Sequence, residues 1–273
     1  MKSKTLGKPP PLTAKSADKF ALYEASVQDT EADIAFLHRT FKARRGRVPM
    51  SLREDFCGTA KLCVDWVQSH RQRTAVGLDL HGPTLKVARS RHVSRLDGEA
   101  TARVQLLQRN VLQGVGRPVD IAVAFNFSYC AFKERRELLR YFRRVRRDLC
   151  ADGMFFLDVH GGTECFVELE ETKKLRGFTY VWDQRPFDAV NGHGVRHIHF
   201  RFPDGSQLQR AFSYDWRLWH LPEMRDVLKE AGFAQIDTYW EGAGADGSGN
   251  GVFRRVKRAD NEASFVAYLV GLP

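Results

Sequence analysis

The sequence predicts an α/β fold: a doubly wound, mostly parallel seven-stranded sheet with an inserted antiparallel meander after strand five. Three observations predict it. Between residues 50 and 161, short and nearly continuous apolar runs alternate with amphipathic stretches. That texture belongs to a parallel sheet covered on both faces. From about residue 176 the runs lengthen and are joined by the turn signals NGHG and PDGS, as in an antiparallel meander. Two late strand-like runs, AQIDTYWEG and SFVAYLVGL, bring the number of sheet strands to seven.

The elements follow in order. Residues 1–17 hold Pro, Lys and Ser but almost no core formers, and are expected to be a disordered tail. Residues 18–48 are read as an N-terminal helical cap of two helices. The first is DKFALYEASVQ; the second starts at an N-cap, Asp29 or Thr30, and sets Ile34, Leu37 and Phe41 on one face. The main domain is read as 49–273. It opens with strand MSLRED and helix AKLCVDWVQSH, then strand RTAVGLDL and helix PTLKVARSRHVSRL. Strands ARVQLLQRN, VDIAVAFN and GMFFLDVHG follow, with an arginine-rich helix before the last of them. The helix PEMRDVLKEAGF ends at Gly232, a C′ glycine. GAGADGSGNG, 242–251, reads as a mobile loop, either a lid or plain disorder.

Bulk properties narrow the function. The chain has 273 residues, enough for one large core, and no apolar run approaches the ~20 residues of a membrane span. No apolar signal core opens it, and Cys57, Cys63, Cys130, Cys150 and Cys165 are scattered without a CxxC pair. Both features fit a cytoplasmic protein with reduced thiols and no metal site. The net charge of +10 suits a nucleic-acid binder, yet its densest cluster, KERRELLRYFRRVRRDL, places Leu138, Leu139, Phe142, Val145 and Leu149 at helical spacing between arginines. A solvated outer helix face is the favoured reading and a phosphate contact the alternative.

Ligands of open α/β sheets bind beyond the carboxyl ends of the strands, where strand order reverses. Those ends are Glu54 and Asp55, Asp79, Asn110, Asn126, and Asp158 with His160. Asp79 closes the second strand, where a carboxylate can accept both hydroxyls of a ribose or cap the next helix. GxGxxG is absent, which argues against a dinucleotide and its pyrophosphate. His197 and His199 share one strand face; without a third ligand they read as a solvent or interface face.

Over residues 50–273 the order and side chains resemble the class I S-adenosylmethionine-dependent methyltransferases. LREDFCGTA lies over that family's first motif: Glu54 takes the acidic position, Cys57-Gly58-Thr59 is shared, and Phe56 and Ala60 replace two glycines. GLDL matches the second motif, with Asp79 as the ribose acid and Leu80 beside it. QRNVLQ matches the third, with Asn110 and Val111 toward the adenine. DIAVAFNFSY matches the fourth, with Asn126 at its end. WRLWHLPEMRDVLKEAGFAQIDTYWEG is similar to the late helix and strand of small-molecule N- and O-methyltransferases.

The resemblance implies S-adenosylmethionine as cofactor and a small-molecule acceptor with an N or O nucleophile. RNA or protein as acceptor is the first alternative, although the NPPY tetrad of adenine-N6 enzymes is missing. A non-catalytic cofactor-binding scaffold is the second. Arg53 is placed in the site beside Glu54. Tyr23 would lie near the sulfonium, where cation–π attraction operates, or pack as an ordinary aromatic. Tyr129 and His160 are the candidate bases. The insertion 176–217 would roof the acceptor site or form a homodimer interface.

Overall fold

The computed structural model describes residues 11–244 and 249–273. It divides into two compact units, Met1–Gln28 with Phe166–Trp216, and Asp29–Cys165 with Arg217–Pro273. Residues 1–10 of the expected tail and 245–248 of the expected loop lie outside the described residues.

The first unit holds helix α1 (Lys19–Val27), whose Asp18 cap accepts the Phe20 and Ala21 amides. Before it, Thr13–Ala17 makes a turn, and the Ala14 amide donates to Ser206 at 2.9 Å. The second unit begins with helix α2 (Thr30–Arg45), capped by Asp29 and stopped at left-handed Gly46. There follow β1 (Ser51–Asp55), α3 (Lys61–Gln68), β2 (Thr74–Asp79), α4 (Gly82–Arg91), α5 (Gly98–Ala102) and β3 (Val104–Gln108). Next come β4 (Val119–Ala124), α6 (Arg135–Arg147) and β5 (Leu149–Gly161). The first unit resumes with β6 (Leu169–Leu175), β7 (Phe178–Asp188), β8 (His193–Arg201) and β9 (Gln207–Arg217). The chain closes with α7 (Leu221–Glu230), β10 (Gln235–Ala243), β11 (Gly249–Val256) and β12 (Phe265–Leu272).

Among the described residues the main sheet has eight strands, in the order β11-β10-β12-β5-β4-β1-β2-β3. The pairs β1·β2, β2·β3, β1·β4 and β4·β5 are parallel. The pairs β5·β12, β12·β10 and β10·β11 are antiparallel. Seven strands are therefore corrected to eight. The added strand is β11, whose glycines and basic residues hide a strand signal. It is an edge strand, exposed along most of its length, and needs no apolar face.

Strand order reverses between β1 and β4. β4 is buried at every position, the reason its sequence is continuously apolar. On one face, α2, α3 and α4 bring Phe36, Leu37, Phe41 and Trp66 against Leu52, Ile121, Val123 and Phe156. On the other, Phe155 meets Phe142 of α6 and stacks on Phe233. Each such fully buried side chain contributes roughly 1.5–3 kcal/mol.

The smaller sheet runs β6-β7-β8-β9, with β6·β7 and β7·β8 antiparallel. Its core joins Leu22 of α1 to Phe178, Ile198, Phe200 and Phe202. His197 is buried and shares a hydrogen bond with Ser213 at 2.8 Å; His199 pairs with Asp183 at 3.2 Å. The face they were expected to show to solvent is thus an internal polar ladder.

Candidate cofactor site at the strand ends

The turn after β1 carries the clearest backbone signature. Phe56, Gly58 and Ala60 all adopt left-handed φ, at 57°, 53° and 55°. Such angles suit glycine and cost other residues roughly 1–2 kcal/mol. The turn thus keeps a three-glycine conformation with one glycine. A Cβ added at Gly58 would meet nothing within 4 Å, so open room lies beside its backbone.

β-Strand alternation separates the neighbouring acids of this motif. Glu54 sits on the α3 side and accepts the Cys63 amide at 3.2 Å, from the first turn of a helix whose N-cap, Ala60, has no side chain to offer. Burial pushes Glu54 up to about 8; the Cys63 hydrogen bond opposes this, and the charges of Asp33 and Asp79 add to it. Asp55 and Arg53 face α6. Arg53 is fully buried, with Nε 2.8 Å from Asp55, Nη1 2.7 Å from Asp148 and Nη2 donating to the Val111 carbonyl at 3.1 Å. Tyr141 donates to the other Asp55 oxygen at 2.7 Å. The expectation of Arg53 in the site is corrected: all its donor groups are turned into this network, away from Glu54.

Asp79 ends β2 and ties the turns together. Its Oδ2 accepts the Gly58 amide at 2.8 Å and its Oδ1 the His81 amide at 2.7 Å. Each carboxylate oxygen keeps a second lone pair. Leu80, next in the chain, is 64% exposed, which is rare for so large an apolar side chain beside a polar strand end. Cys57 is buried with Sγ over Gly77, where a Cβ would stand 2.8 Å from the sulfur, and Thr59 is buried too. Asn110 caps a short turn by accepting the Leu112 amide at 2.9 Å, and Val111 is buried within that turn. Phe56 is half-buried and directs its ring at Phe132 and Tyr141, with centroids 6.1 and 5.8 Å away.

The β4 and β5 ends form a second cluster. Asn126 and Phe127 are both left-handed, and their amides donate to Asp158 at 2.7 and 3.0 Å. Burial pushes Asp158 up to about 7, against these two hydrogen bonds. Tyr129 is buried and donates its hydroxyl to the Asp158 carbonyl at 2.8 Å. Burial also pushes its phenol well above 10. Tyr129 is therefore a hydrogen-bond donor at neutral pH, which corrects its reading as a base. His160 lies half-buried on β5, its ring 5.4 Å from Phe127. Tyr23 belongs to the other unit, where its ring packs on Phe212 at 4.9 Å and its hydroxyl hydrogen-bonds with Tyr214.

Two residues near this cluster escaped the sequence reading. Asp33 on α2 hydrogen-bonds with Tyr268 on β12. Burial and the charge of Asp29 push Asp33 up to about 7, opposed by Tyr268 and Lys61. Its charge is felt at both Glu54 and Asp158. In sequence Asp33 reads as an ordinary acid in the first turn of a helix. Nothing local marks it.

No family model matches the sequence, and no curated protein does. Solved structures do match the fold. A S-adenosylmethionine-dependent methyltransferase from Clostridium acetobutylicum superposes with a TM-score of 0.68 and 17% identity, over 93% of this chain and 98% of that one. A sugar N-methyltransferase from Streptoalloteichus gives 0.61 and 17%, over 100% and 98%. An amino pentose methyltransferase from Micromonospora echinaspora, solved with S-adenosylmethionine bound, gives 0.65 and 15%, over 93% and 96%. The chain has the fold of the S-adenosylmethionine-dependent methyltransferases.

Proposed function

We propose that the protein is an S-adenosylmethionine-dependent methyltransferase acting on an N or O nucleophile of a small molecule. The observation that carries this reading is the left-handed Phe56–Ala60 turn, with open room at Gly58 and the Gly58 amide held by Asp79. The donor set fits the cofactor. Asp79 retains acceptor capacity for ribose hydroxyls, Leu80 offers an apolar surface for the adenine, and Asn110 and Val111 border the same strand ends. Glu54, Asp33 and Asp158 make the neighbourhood complementary to a cation. Phe56, Cys57 and Thr59 act through the shape of the turn, and Asn126 through its left-handed backbone.

When bound, S-adenosylmethionine supplies an electrophilic methyl group on a sulfonium. The chain's own residues orient and desolvate the partners of an in-line displacement. His160 is the residue assigned to take the acceptor's proton where the acceptor is a hydroxyl. Tyr129 acts as a positioning residue that holds the β5 end. Amino sugars, the acceptors named for two structural neighbours, are the first class to assay.

Calorimetric titration with S-adenosylhomocysteine tests the reading. Asp79→Ala is expected to lose at least tenfold in affinity while the thermal transition keeps its cooperativity. Wild-type protein that binds no ligand at millimolar concentration, or a mutant of unchanged affinity, would overturn it.

A further inference from the structure

Helix α6 buries Leu138, Leu139, Tyr141, Phe142 and Val145 and turns its arginines outward. Three of the seven have a place in the fold. Arg135 pairs with Glu230 at 2.6 Å, Arg144 with Asp148 at 3.2 Å, and Arg146 lies against Gly232. The other four, Arg136, Arg140, Arg143 and Arg147, are exposed, and none makes a hydrogen bond or ion pair among the described residues. The carboxylate that feels one of them, Glu230, senses Arg143 and is already held by Arg135.

Their spacing is i, i+4, i+7, i+11. At 100° and 1.5 Å per residue these positions fall within a sector of roughly 60° along about 16 Å of helix axis. A solvated helix face usually mixes signs to limit self-repulsion. Here Glu137 is the lone acid of the helix, and it is half-buried.

We infer that the Arg136–Arg140–Arg143–Arg147 stripe is a docking surface for the phosphate backbone of duplex RNA. A nucleic-acid strand presents a phosphate about every 3 Å of axis, so about five phosphates face a line of this length. Guanidinium groups match phosphate oxygens in bidentate pairs. The helix carries no Asn, Gln, Ser or Thr, the neutral side chains that read base edges in a DNA major groove. A contact made through phosphates and shape alone is the manner in which duplex RNA is recognised. Its exposed residues are all arginine, so an anionic bilayer would gain no apolar anchor. The surface is independent of the methyl acceptor and of the cofactor reading.

Fluorescence anisotropy with a labelled 20-base-pair RNA duplex, the DNA duplex of the same sequence and poly-glutamate decides it. The expected plot of log affinity against log salt has a slope near −3.6, about 0.9 for each of four phosphate contacts. Replacing Arg136, Arg140, Arg143 and Arg147 together by Ala should remove about three units of that slope and at least tenfold in affinity. Replacing all four by Lys should keep the slope, which separates charge from any damage to the fold. An unchanged Ala variant, a Lys variant that loses the slope, or DNA or poly-glutamate bound as tightly as RNA overturns the inference.

Discussion

Gly58 is the residue on which the site turns. Phe56 and Ala60 show that this backbone tolerates side chains in the left-handed region when their atoms pack elsewhere: Ala60 is fully buried and Phe56 rests on Phe132 and Tyr141. Gly58 differs because a Cβ there points into open room. Gly58→Ala should cost only about 1 kcal/mol of stability, the strain of a left-handed alanine. It should weaken S-adenosylhomocysteine binding at least tenfold. Urea unfolding and calorimetry on one preparation separate the two effects, and a mutant that loses stability but not affinity would remove Gly58 from the site.

At the scale of elements, β1 does two jobs with adjacent residues. Its α3-facing side carries Glu54 to the site. Its α6-facing side carries Arg53 and Asp55 into a buried network with Tyr141 and Asp148 that ties β1 to α6 and to the end of that helix. Removing one partner of such a network leaves charge buried without compensation, at a cost of about 3–5 kcal/mol. Arg53→Met is expected to lower the urea midpoint by that equivalent or to prevent folding, because Asp55 and Asp148 lose their cation. Little loss in that variant would mean that the network adds no stability. The two acids of REDF look interchangeable in sequence; the pleat sends one to the site and the other to the core.

On the scale of the whole molecule, three acids from three elements share a field. Glu54 titrates near 8, and Asp33 and Asp158 near 7, all above their ordinary values of 4.5 and 3.8. Between about pH 4 and 8 the native state therefore holds more protons than the unfolded chain, and stability contributed by these groups falls as pH rises through that window. A bound cation reverses the preference by favouring the carboxylates. S-Adenosylmethionine affinity should thus rise from pH 6 to 8 with proton release. S-Adenosylhomocysteine, which lacks the sulfonium charge, should show a weaker rise. Calorimetry in buffers of different ionisation enthalpy measures the released protons, and Glu54→Gln should flatten the profile; equal pH dependence for both ligands would contradict it.

Much of this was legible in the chain. The five parallel strands announced themselves because burial on both faces demands continuous apolar runs, and their polar ends marked the cleft side of the sheet. Asp79 could be singled out because a strand end is a local feature. The sequence by itself also determined that the first motif had traded glycines for Phe56 and Ala60. Only the tertiary structure decided that the turn keeps its left-handed form, that Phe56 packs on Tyr141, and that Arg53 and Tyr129 serve the core. It also brought Asp33 and Tyr268, 235 positions apart by their numbering, into one hydrogen bond, and made a strand of basic β11. The physical reason is common to all of these. Apolar periodicity records which face of an element is buried, but the partner of a polar side chain is set by contacts between distant segments, and no local pattern encodes them.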